Sequence, residues 1–345
     1  MTHATAQTDA APPNRSEWRA VVARYQRPDV RRAITQLATT LVPLGALFYL
    51  MYRSLVLPYW VTLMLALPAA GFLVRTFVLM HDCAHGSFLP WRRANDLVGY
   101  VTGVLTLTAF GRWRRDHAMH HASSGDLDRR GHGDVHTLTV REYLALTRWG
   151  RLRYRLFRNP LVLFGLGPLH WVLTNRIPPK GTAITDRLSI SVWAANAGCA
   201  GAYAAFAVWV GAGTVALIYF PAMYVAAAVG IGMFYVQHQF EDTYWQEHAE
   251  WDYATAAIRG SSYFKLPAIL QWFTGSIGLH HVHHLGPRIP NYKLQSAHEE
   301  NPLFHDVTVL TLANSVRTIR LTLWDEDRRQ LVGFRALARG GAPVR

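Results

Sequence analysis

Residues 81–88 read HDCAHGSF, and they follow directly on an apolar run at 56–80 whose one charged residue is Arg75. His81 and His85 stand four positions apart, so on a helix continuing from that run both imidazoles share one face. Neutral imidazole is the commonest metal ligand. Two imidazoles and Asp82 at the mouth of a greasy segment therefore read as the first piece of a metal site at the end of a membrane helix.

The composition agrees with a membrane chain. Half of the 345 residues are hydrophobic and 17% are charged, against about 25% in an average soluble domain. A run at 37–51 precedes the one at 56–80 with only YRSL between them, and a second close pair occupies 190–211 and 214–236. Crossing a bilayer takes about 20 apolar residues, so each pair reads as a transmembrane hairpin. The runs at 97–110 and 161–173 are too short to span and read as re-entrant or interfacial. Residues 1–15 read as disordered, and 16–33 as a basic amphipathic helix on the membrane surface. Arg75 reads as a snorkelling cation or as the holder of a site carboxylate.

The formal charge is +13, almost all of it arginine. Fourteen Lys/Arg lie in 112–189 and six arginines precede residue 35, whereas the two hairpin turns hold Arg53 alone. Positive charge stays on the cytoplasmic side, so both termini and the large loop are expected there, in a bacterial inner membrane. Because the charge flanks apolar runs, it marks topology and not a nucleic-acid partner. Residues 1–35 lack the apolar core of a cleavable signal peptide. Cys83 and Cys199 are too few and too far apart for a disulfide framework. The expected fold is an all-α integral membrane protein with four transmembrane helices in two hairpins plus a cytosolic helical cap with interfacial helices. Its parts are a polar N-terminal segment (1–33), hairpin 1 (34–80), cap (81–189), hairpin 2 (190–236) and C-terminal cap (237–345).

Two more histidine clusters follow. WRRDHAMHHASSG supplies His117, His120 and His121, and GLHHVHHLGP supplies His280, His283 and His284, both in HxxHH order. The i, i+3, i+4 spacing lines one helix face, and His281 falls on another. His238, after the fourth run, corresponds to His81 after the second. Eight or nine imidazoles exceed the four ligands of one zinc, so two ions are implied. An all-imidazole site suits Zn, Cu, Fe or Ni alike. His170, His248 and His305 read as ordinary histidines, and His132 and His136 as residues of a Gly/Asp-rich loop. A metal transporter would hold its ligands near the bilayer midplane; here they sit at span ends.

The three boxes, with HDCAHGSF, HAMHHASSGDLDRRGHGD, RNPLVLFGLGP and GLHHVHHLGPRIPNYKL, resemble the integral-membrane fatty acid desaturases over about residues 70–300, most closely the acyl-lipid omega-6 (Δ12) type. That resemblance implies two non-haem irons, dioxygen as co-substrate, a fatty acyl lipid or acyl thioester substrate, and His81, His85, His117, His120, His121, His280, His283 and His284 as ligands, with His238 as the ninth. Some members carry an asparagine one turn before that histidine; here it is Phe234. No donor domain is fused and two cysteines are too few for an iron–sulfur cluster, so a separate ferredoxin, rubredoxin or cytochrome b5-like donor is implied. The arginines 112, 114, 115, 129 and 130 are its expected docking face. Carboxylates orient metal-bound imidazoles, and Asp82, Asp116, Glu241 and Asp242 are the candidates. Gly230 and Gly232 are candidates to leave room for an acyl chain. A hydroxylase on the same scaffold is the nearest alternative.

Overall fold

The structure, a computed structural model, describes residues 14–131 and 135–339, with the side chains of 338 and 339 excepted. His132 and most of the 1–15 segment lie outside the described residues.

The basic N-terminal stretch splits in two. Helix α1 (Arg15–Ala23) ends before Pro28, and α2 (Val30–Ser54) starts where Asp29 Oδ1 accepts from Arg32 N at 3.0 Å. Contrary to the membrane-surface expectation, α1 packs on the protein: Trp18, Val21 and Val22 join the core that holds Ile289 and Leu285. A proline and an N-capping aspartate stop the helix, and its apolar edge finds a protein partner before a lipid one.

After a turn containing Pro58, α3 (Trp60–His85) runs for 26 residues, about 39 Å at 1.5 Å per residue. It continues unbroken through the first histidine box and ends at Gly86, whose φ of +66° is a left-handed conformation that only glycine adopts freely. Gly86 N donates to Cys83 O and Ser87 N to Asp82 O. Then come α4 (Arg92–Leu105) and α5 (Phe110–Ser123), the latter bearing the second box.

A polar region follows with β1 (Leu138–Thr139), α6 (Val140–Ala145) and α7 (Arg148–Phe157). The apolar 161–173 stretch forms a π-helical turn at Leu161–Leu166 and α8 (Gly167–Asn175), laid along the fourth long helix: Tyr224 OH donates to Gly165 O at 2.8 Å. Next are α9 (Arg187–Val210) and α10 (Ala212–His238), joined at Gly211.

The C-terminal cap contains α11 (Tyr253–Arg259), β2 (Tyr263–Lys265), α12 (Ala268–Phe273), α13 (His280–Leu285, the third box), α14 (Asn291–Glu300), β3 (Val309–Thr311), α15 (Leu312–Thr318), β4 (Leu323–Asp325), β5 (Gln330–Val332) and α16 (Phe334–Arg339). Strand β2 pairs with β3 in parallel, while β4 joins β1 in parallel and β5 antiparallel.

Among the described residues, three helices, α2, α3 and α10, are long and apolar enough to cross a membrane. Helix α9 has the length but is diluted by Asn196 and a run of alanine and glycine. Helix α3 is the innermost: Ala66, Ala69, Ala70 and Leu73 meet Leu44 and Met51 of α2 and Ala222, Met223 and Ala226 of α10. Small residues let apolar helices approach closely. Val42, Val56, Trp60, Val208 and Trp209 face outward and are exposed. A second core ties Met233, Val236 and Phe240 to Leu279, Val282 and Leu285 around the third box, fixing the end of α10 to the cap.

Arg75 does neither of the things expected of it. It is buried, donates to Thr40 Oγ1 and the Trp272 carbonyl, and sits 4.0 Å over the Trp272 ring. It pins α12 to α2 and α3.

Candidate metal centre

Each histidine owes its place to a helix end. His81 and His85 close α3, His238 closes α10, His117, His120 and His121 lie on the second half of α5, and α13 is almost nothing but the third box. The nine imidazoles divide into two groups. His81, His85, His117, His121 and His283 form one, and His120, His238, His280 and His284 the other, with the donor atoms in each within 4.8 Å of one another. Each HxxHH box is split. Members four apart stay together, 117 with 121 and 280 with 284, while the remaining histidine of each box turns to the other group.

The donor geometry suits a metal ion in each group. In the five-histidine group, Nε2 of His283 lies 3.0 Å from Nε2 of both His81 and His121, and His117 Nε2 is 3.1 Å from that of His121. In the four-histidine group, His238 Nε2 is 2.9 Å from that of His280 and 3.2 Å from that of His120, and His284 lies 3.1 Å from His280. Nitrogens bound at about 2.0–2.1 Å around one ion stand roughly 2.9–3.4 Å apart. His85 Nε2 is buried without any hydrogen-bond partner, a lone pair aimed into its group. Burial first, then neighbouring imidazoles, holds His117, His121, His280, His283 and His284 well below the usual 6.5. They are neutral at physiological pH, the form a metal requires.

Outer contacts fix ring orientation. With Nε2 facing inward, His81 Nδ1 donates to Asp82 Oδ1 at 3.2 Å, and Asp82 Oδ2 accepts from Asn291 N at 2.7 Å and Nδ2 at 2.8 Å. His238 Nδ1 donates to Gly260 O at 3.0 Å. Tyr253 OH donates to His284 O at 2.7 Å, and Trp113 stacks on His117 at 4.4 Å. Nothing local in the sequence points to Gly260 or Tyr253, which reach their targets across more than twenty residues; PNYKL, after the third box, hints at Asn291, and Trp113 stands one helical turn before His117.

The other three carboxylates turn away from the histidines. Asp116 pairs with Arg112 at 3.4 Å, Asp242 accepts from Thr308 Oγ1 at 2.9 Å, and Glu241 is exposed. One helical turn from Asp116 carries it toward Arg112, and the chain breaks helix after Gln239, which turns 241 and 242 outward.

His281 faces away, with Nε2 3.3 Å from His298 Nδ1, and burial pushes it down to about 3. His170 is exposed, and the ring of His136 lies against Tyr154 and Phe157. His248, read as ordinary, has a built setting: Nδ1 lies 2.7 Å from the buried Asp126 carboxylate, and Arg129 donates to Nε2 at 2.7 Å. That pair clamps the loop after the second box to the loop after α10. Phe234 packs 5.0 Å from His238 and 5.1 Å from His120, a ring where a donor would complete the smaller group.

Four of the five arginines expected to receive a donor are engaged. Arg112 donates to the Thr174 and Ile177 carbonyls, Arg114 pairs with Asp96, Arg129 with Asp126 and His248, and Arg130 with both Glu142 oxygens. Of these five, Arg115 is exposed and has no partner among the described residues.

Long apolar helices that deliver nine imidazoles to two adjacent groups, each able to hold a metal ion, define the class: helical proteins with membrane-length segments and a histidine-rich site at their ends. The fatty acid desaturase family matches residues 54–309. A fatty acid desaturase of Bacillus subtilis (strain 168) is 43% identical over 92% of this chain and 90% of its own length. The sn-1 oleoyl-lipid 12-desaturase of Synechocystis is 27% identical over 78% and 76%, and its sn-1 acyl-lipid omega-3 desaturase (ferredoxin) 26% over 65% and 62%. The chain belongs to the fatty acid desaturase family, membrane-bound oxidoreductases that act on fatty acyl lipids.

Proposed function

We propose that this protein introduces a cis double bond into the acyl chain of a membrane lipid, with the Δ12/omega-6 position favoured by its similarity to the oleoyl-lipid 12-desaturase. The observation that carries the reading is the pair of imidazole groups sharing α5 and α13. An unactivated methylene has no acidic proton, so side-chain acid–base chemistry cannot reach it, and the oxidising power belongs to a cofactor. A pair of irons, when bound, would supply it: the overall change takes one hydrogen from each of two adjacent carbons, consumes dioxygen, two electrons and two protons, and yields two waters.

The chain's own part is positional. The five histidines would hold one iron and the four would hold the other. Asp82, steadied by Asn291, keeps His81 with Nε2 toward its group, and the Gly260 carbonyl does the same for His238. Phe234 keeps the four-histidine group apolar on the α10 side. A Cβ at Gly230 or Gly232 would meet nothing, which leaves open space along α10 for an acyl chain. Helix α9 completes a second hairpin with α10, giving four spans, with the histidine ends and both termini on the cytoplasmic side by the arginine distribution. A separate one-electron carrier reduces the site, as in the relative named with ferredoxin.

The test is expression in a host without polyunsaturated lipids, a donor supplied, with double bonds located by derivatisation and mass spectrometry. A new unsaturated acyl species absent from a His120→Ala control supports the reading; a hydroxylated species instead assigns the hydroxylase, and no new species defeats both.

A further inference from the structure

Helix α7 reads in sequence only as part of an arginine-rich polar loop, yet its two faces have opposite duties. Inward, Tyr154 OH donates to the Thr322 carbonyl at 2.6 Å, Arg151 donates to the Leu146 carbonyl at 3.1 Å, and Arg158, directly after the helix, is buried. Arg158 donates to Tyr235 OH at 3.1 Å and Gln239 Oε1 at 2.9 Å, gripping α10 on both sides of His238. Outward, Trp149 (80% exposed), Leu152 (45%) and Leu156 (53%) recur at i, i+3 and i+7, one unbroken apolar stripe. Arg148 and Arg153 flank that stripe, exposed and with no hydrogen bond or carboxylate among the described residues.

What covers the stripe follows from its continuation. Four residues past the end of α7, the π-helical turn begins with Leu161 82% exposed, and the segment then lies along α10, with Phe164 5.6 Å from the Tyr235 ring and the Gly165 carbonyl held by Tyr224. Helix α10 is one of the membrane-crossing candidates, and the exposed side chains of Leu166 and Leu173 extend the same apolar surface. A short helix entering that surface, with an aromatic-aliphatic stripe and bare arginines, has the make-up of a segment lying in the headgroup plane.

We infer that α7 is a lipid-recognition helix: Trp149, Leu152 and Leu156 sink into the acyl boundary, and Arg148 and Arg153 take the phosphates of anionic phospholipid headgroups. Each arginine near a surface gives roughly a five-fold preference for negative lipid. Arg158 ties α7 to the last turn of α10. The inference is independent of the reaction catalysed.

Leu152→Cys carrying a small fluorophore tests it in the full chain, since Cys83 and Cys199 are buried. Asp327→Cys, in an exposed charged turn, is the reference. In bilayers of phosphatidylglycerol and phosphatidylcholine, the label at 152 should be quenched by brominated lipid and shielded from aqueous iodide, and the label at 327 should show the reverse. Brominated phosphatidylglycerol should quench 152 more strongly than equal brominated phosphatidylcholine, and Arg148→Gln with Arg153→Gln should abolish that difference. Free access of iodide to 152 overturns the inference, as does shielding from both quenchers, which marks a protein partner, or equal quenching by the two lipids in the parent.

Discussion

The two histidine groups are built from the same parts and differ in completeness. The larger takes two i, i+4 pairs, 81/85 and 117/121, plus His283; the smaller takes one pair, 280/284, plus His120 and His238. What the smaller lacks is a second ligand one turn from His238, where α10 presents Phe234. They differ in enclosure too: all four members of the smaller group are buried, while His85 and His117 are partly exposed. The enclosed group therefore has no spare donor, and the larger has one.

That asymmetry ranks the expected outcomes. His284→Ala should cost the most, leaving three imidazoles in a closed site: one of two irons lost by metal analysis, and no product. His85→Ala removes one donor of five and should retain measurable metal; equal losses in the two variants would erase the distinction. A smaller effect is expected of Asp82→Asn, which keeps shape but weakens the acceptor for His81 Nδ1. Loss of such an outer partner costs roughly 10–100-fold in affinity or activity, and it should fall on the larger group only, read as one weakened step in chelator titration. Phe234→Asn is the sharpening variant: it places an oxygen beside the smaller group and should slow iron release from that group with no change in the other.

Acid stability of the metal-free protein should change least. The buried imidazoles of α5 and α13 titrate below the ordinary 6.5, so under that pH the unfolded chain takes up protons that the folded chain refuses. Stability should then be flat above about 6.5 and fall as the pH drops below it, followed by thermal melting, and bound metal should shift the fall to lower pH. A melt independent of pH across that range would mean the groups are open to water.

Much of this was legible beforehand because it depends on local periodicity. Apolar runs placed α2, α3 and α10, and four-residue spacing placed each histidine pair on one face. The N-terminal helix was misjudged because amphipathicity reports an apolar edge but not what covers it, lipid or Tyr253 and Gly286. The same ambiguity hid α7, where charge count masked a stripe of three apolar residues. Asp116, Glu241 and Asp242 stand near ligands in the chain, but adjacency does not set direction: a helix turn or a chain break sends each elsewhere.

From sequence alone come the number of imidazoles, their pairing along helices and their position at the ends of apolar segments, since these follow from bond geometry and the aversion of hydrocarbon to charge. Only the folded chain decides which histidines share a group. His120 and His121 are neighbours facing different groups, and His81 meets His283 across 202 residues. Such partnerships are set by how α3, α5, α10 and α13 pack, and packing depends on surfaces that no local pattern encodes.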